Sequence, residues 1–214
     1  MTAKTIKTTL ARRAALLGAL SAALLTSACA PLLVGGAMVG TALMTTDRRT
    51  SGTQIEDQGI ELKSAARLRE QVGDRGHINV NSYNRIVLLT GEAPSEGDRA
   101  AAERVVAQVE NVNRVLNEIV VAPNSSLTSR SNDVLIASKV KASLVDARDL
   151  ISNAFYVVVE RGTVFIMGRV TEREATRATE IARGVSGVQK VVRAMEVISE
   201  EELARITPRP AQNK

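Results

Sequence analysis

The sequence has no tryptophan and only four aromatic residues, two Phe and two Tyr, in 214 positions. Any core must therefore be aliphatic. It has one histidine, His77, and one cysteine, Cys29. A lone cysteine excludes an internal disulfide, and no His/Cys/Asp cluster has metal-ligand spacing. Gly35-Gly36 and Gly184-x-x-Gly187 are not followed by the Lys-Ser or Lys-Thr that a phosphate loop requires. Glu172/Glu174 and Glu200 to Glu202 have cap and tail explanations. The chain therefore reads as non-enzymatic, with no cofactor or metal. A large excess of positive charge is missing too. The formal charge of +5 includes Lys4, Lys7, Arg12 and Arg13 in a leader without acids. Without them 28 − 4 = 24 basic residues face 23 acidic ones, which removes the bulk-charge argument for nucleic acid.

What is present begins with that leader. Residues 1–28 have a basic start, an apolar run over 14–25 and the small residues Thr26-Ser27-Ala28, the pattern of a secretory signal. The run is too short for a membrane span, which needs about 20 apolar residues. Cys29 follows at once. It reads either as a small buried thiol or as a bacterial lipoprotein acylation site, and its position directly after the leader favours acylation. Residues 29–57 then form the acylated end and a tether, rich in Gly, Ala and Val up to Met44 and polar beyond it.

The most informative feature is a segment that occurs twice. Ile86-Val87-Leu88-Leu89-Thr90-Gly91 and Thr163-Val164-Phe165-Ile166-Met167-Gly168 are apolar, β-branched runs that stop at a glycine and lead into a helix. Around each copy the periodicity gives the order α-β-β-α-β. In the first copy a helix over 60–72 precedes strands at 78–82 and 87–90, a helix capped by Ser95, and a strand over 115–121. In the second a helix over 132–145, with Asp133 near its start, precedes strands at 155–160 and 163–167. A helix boxed by Thr171 and Glu174 and a strand within 188–198 complete it. This predicts two domains, 58–122 and 131–199, a linker over 123–130 and a polar tail over 200–214. Gly91 and Gly168 are expected to serve backbone geometry.

The glycine-ended strand, with Val109-x-x-Val112-x-x-Val115 and Val185-x-x-Val188-x-x-Val191, resembles the BON domain. Leader, Cys29, tether and tandem copies together resemble the division and outer-membrane stress-associated lipid-binding lipoprotein family. The fold class implied is α+β: two αββαβ domains, each a three-stranded mixed sheet on two helices. The resemblance implies an acyl-anchored protein on the inner leaflet of the outer membrane, facing the periplasm. It implies support of envelope integrity, with enrichment at the division site. It also implies contact with an anionic phospholipid of the phosphatidylglycerol type through the first helix of the second domain. In this chain that helix offers Leu135, Lys139, Lys141, Leu144 and Val145, with Leu135 where relatives can carry an exposed Trp. Lysines beside apolar side chains are what an anionic interface requires. The alternative is a protein-interaction adaptor for an envelope assembly machine, in membrane contact only through the acyl group.

Overall fold

The computed structural model describes residues 47–207. The leader, Cys29 and the apolar part of the tether lie outside them. The first repeat comprises α1 (Ser51–Gln71), β1 (His77–Tyr83), β2 (Ile86–Ala93), α2 (Glu96–Ala107), β3 (Arg114–Asn117) and β4 (Val120–Val121). The second comprises α3 (Leu127–Asp146), β5 (Phe155–Glu160), β6 (Thr163–Val170), α4 (Glu172–Arg183), β7 (Lys190–Arg193) and β8 (Glu196–Val197), followed by α5 (Glu200–Ile206).

In each sheet the strand that carries the glycine is central, and it continues past the expected stop: Gly91 and Gly168 lie inside β2 and β6, paired with Ile78 and Phe155. β2 pairs antiparallel with β1 and parallel with β3 and β4; β6 does the same with β5, β7 and β8. The parallel partner needs a long crossover, which α2 and α4 supply. The expected last strand of each repeat is interrupted rather than continuous. The breaks place Ile119 and Met195 in the cores beneath the helices.

Local chemistry explains the hairpins. Asn84 and Arg85 both have positive φ (51° and 64°), as do Arg161 and Gly162 (51° and 70°), the geometry of a two-residue turn whose twist matches the strands. Gly91 has φ 103°, and a Cβ there would lie 1.9 Å from the His77 carbonyl oxygen. At Gly168 it would lie 2.4 Å from the Ala154 carbonyl oxygen. Both glycines thus let the facing strand begin in contact with the central one.

Three elements start where irregular chain was expected. α1 begins at Ser51, inside the tether, because the Thr50 hydroxyl accepts the Thr53 N–H. α3 begins at Leu127, inside the linker, because the Ser126 hydroxyl accepts from Ser129. α5 occupies the start of the tail, with Ser199 as its cap. Asp133 consequently sits past the first turn of α3, and its expected partnership with the helix dipole gives way to another role. It accepts the backbone N–H groups of Arg161 and Gly162, while Asp57 of α1 accepts those of Asn84 and Arg85. In each repeat the first helix holds the hairpin turn through one buried aspartate.

The central strands are buried on both faces. Val87, Leu89 and Ala93 pack under α1 and α2; Val164, Ile166 and Val170 pack under α3 and α4. The alternate residues Leu88, Phe165 and Met167 meet in a third cluster with Tyr83 and Ala194, which joins the two repeats. This double burial is the physical reason for runs without polar alternation.

Candidate lipid-facing surface

α3 has two contrasting faces. Asp133, Ile136, Val140 and Leu144 are buried. Leu144 is 2% exposed, so it belongs to the core stripe and drops out of the expected contact surface: its i+4 and i+8 relation to Val140 and Ile136 turns it inward. Leu135 and Val145 are exposed at 60% and 66%, and Lys139 and Lys141 are exposed as well. Among the described residues neither lysine has an ion-pair partner.

Two further apolar side chains share this outer face, Leu127 at 79% and Val134 at 66% exposure. At about 100° per residue, Leu127, Val134, Lys141 and Val145 fall within a sector of roughly 40° and form one ridge. Leu135, Lys139 and Ala142 form the neighbouring ridge, with Ser131 and Ser138 between them. Leu127 escapes sequence reasoning because it lies in the Ser-rich stretch read as a linker. The signal that could have found it is the Ser126 cap, together with the seven-residue spacing from Leu127 to Val134. Most side chains of the two ridges are thus apolar, small or cationic. The exposed Asp146, last residue of α3, closes the Leu135–Lys139–Ala142 ridge with an acid, whereas Asp133 points inward.

Near the start of α3 lies a cleft of about 200 Å³ lined by His77, Asn79, Arg130, Asp133, Val134 and Glu160 among others. His77 opens β1 rather than sitting in a loop, and burial lowers its pKa. Burial likewise raises the pKa of Glu160, whose carboxylate accepts from the Asn79 amide at 2.8 Å. Among the described residues no group of three or more His, Cys, Asp or Glu could hold a metal ion. No helix among them is long and apolar enough to cross a membrane.

Comparison with known proteins gives a consistent pattern. Residues 56–123 and 132–199 each match the BON domain. The chain is 36% identical over 182 residues to outer membrane lipoprotein DolP of Haemophilus influenzae, covering 84% of this chain and 93% of that protein. It is 32% identical to a 21 kDa hemolysin of Actinobacillus pleuropneumoniae, covering 71% and 79%. It is 30% identical to osmotically-inducible protein Y of Escherichia coli, covering 65% and 72%.

Proposed function

Given that this chain belongs to the BON-domain family, we propose that it is a non-enzymatic lipoprotein of the outer membrane that binds anionic phospholipid through the outer face of α3. Cys29 is the acylated residue, the folded repeats face the periplasm from the inner leaflet, and the protein supports envelope integrity at the division site. The observation that carries the lipid reading is the ridge pair on α3. Leu127, Val134, Leu135 and Val145 stand exposed beside Lys139 and Lys141.

The energetics fit a contact that is weak by itself. Full burial of a Val or Leu side chain is worth about 1.5–3 kcal/mol, and a lysine near an anionic surface about 1 kcal/mol. Partial insertion of four such side chains with two lysines contributes a few kcal/mol. Acyl chains at Cys29 would supply the permanent hold, and tethering raises the effective concentration of α3 at the bilayer. The helix then reports lipid composition without being responsible for anchorage.

The test is flotation with phosphatidylglycerol vesicles of protein in which Cys29 is replaced by Ser. Association that weakens in Leu135→Asp with Lys139→Glu supports the reading. Equal flotation of both forms, or none by either, contradicts it.

One observation favours the adaptor reading. On α1 of the first repeat, Ile55 and Leu62 are 70% and 74% exposed and seven residues apart. Gly59 lies between them, and a Cβ there would meet nothing within 4 Å. A partner helix could rest on that face. Periplasmic crosslinking that captures a protein through Ile55 or Leu62, with no flotation of the non-acylated form, favours the adaptor.

A further inference from the structure

Asp47-Arg48-Arg49 reads from sequence as part of a polar tether. In the structure its two arginines reach into opposite repeats. The Arg48 guanidinium donates through both terminal nitrogens to the Glu174 carboxylate of α4, at 2.8 and 2.7 Å, and to the Arg169 carbonyl at the end of β6, at 3.0 Å. Both side chains of this ion pair are nearly closed to solvent, at 5% and 4% exposure. The Arg49 guanidinium donates to Asp57 of α1 at 2.9 Å and lies 4.1 Å from the ring centre of Tyr83, at the end of β1.

Neither contact is a casual surface pair. A forked, two-point guanidinium–carboxylate contact fixes orientation as well as distance. Glu174 is also the capping-box residue of α4 and accepts the Thr171 N–H at 3.0 Å, so Arg48 grips the start of a helix 126 residues away in sequence. Asp57 is the aspartate that holds the first hairpin turn, and Tyr83 belongs to the cluster joining the repeats. The chain entering from the tether is therefore fastened at the seam.

We propose that Arg48 and Arg49 form a clasp that fastens the N-terminal tether to both repeats at once. A load on the tether is then borne by the second repeat directly, and not only through α1 and the seam. The repeat that carries α3 thus has its own attachment to the tether, although the first repeat precedes it in sequence. The clasp stands whether or not α3 touches lipid, and its test contains no lipid.

Limited trypsin digestion of the full chain in detergent, followed by mass spectrometry, reads it. The peptide bond after Arg48 is expected to resist cleavage in the wild type. In Glu174→Gln, which keeps a neutral acceptor for the Thr171 N–H, cleavage after Arg48 is expected to accelerate at least tenfold. Cleavage after the exposed Arg183 should stay within twofold. Arg48→Lys, which keeps the charge but loses the fork, should likewise expose the bond after position 48. Equal cleavage after residue 48 in wild type and Glu174→Gln overturns the clasp. So does a parallel rise after Arg183, which would mean that α4 has simply loosened.

Discussion

The carboxylate of Asp133 on α3 accepts the backbone N–H of Gly162 at 2.8 Å. With the Arg161 N–H at 2.9 Å, this ties the second hairpin to the helix that bears the candidate lipid face. Asp133 is 5% exposed, so its removal strands the buried Gly162 N–H and the partly buried Arg161 N–H. Asp133→Ala is expected to destabilise the protein by about 3 kcal/mol, and Asp133→Asn, which keeps one acceptor oxygen, by less. Chemical denaturation measures both.

The central glycines make a sharper prediction. Gly91→Ala must place a Cβ where the His77 carbonyl oxygen stands, at positive φ. Both strain and overlap oppose it, so a loss on the order of 3 kcal/mol or more is expected. Gly59→Ala, in open space on α1, should be neutral or stabilising, since Ala outranks Gly in a helix by about 1 kcal/mol. Thermal melts of the two variants separate a backbone requirement from a general dislike of substitution.

The seam makes the repeats interdependent. Leu88, fully buried, meets Phe165 and Met167 of the other repeat. Leu88→Ala is expected to cost about 2–5 kcal/mol and to lower one shared calorimetric transition. Two transitions in the wild type, of which only one moves, would contradict a joint core.

Much of this architecture was legible because its signals are local. Period-two and helical spacing, the Ser95 cap and the Thr171–Glu174 box all lie within a few residues of the features they specify. The expected strand stops at Gly91 and Gly168 fail, since the strands run on to Ala93 and Val170. The helix starts at Ser51 and Leu127 were obscured because their caps, Thr50 and Ser126, sit in polar stretches that also suit a linker. The seam could not be read, since nothing near Leu88 says that its partner is Phe165. The same holds for Arg48, whose carboxylate lies in the other repeat. At the candidate surface, Lys139 and Lys141 stood out by charge. Leu144 came in with the resemblance, although its i+4 and i+8 relation to Val140 and Ile136, legible in the sequence, already sets it on the core stripe where the structure buries it.

Glu160 predicts a pH dependence. Burial raises its carboxyl pKa, so the folded protein binds its proton more tightly than the unfolded chain does. The stability it contributes is present in full below the ordinary carboxylate pKa and is lost as pH rises through the raised value. Glu160→Gln, which can still accept from Asn79, should therefore raise Tm at pH 7. That gain should shrink towards zero as pH falls below about 4, near the ordinary glutamate pKa. A constant gain at all pH values would point to packing instead.

The central claim, that α3 contacts lipid through its outer face, is tested most directly by vesicle partitioning of non-acylated protein. Val134→Asp with Lys141→Glu on α3 is compared with Ile55→Asp with Leu62→Asp on α1. On phosphatidylglycerol vesicles the α3 pair is expected to lose about tenfold in partitioning, roughly 1.4 kcal/mol, while the α1 pair stays at the wild-type value. Undiminished partitioning of the α3 pair, or a loss confined to the α1 pair, would contradict the account.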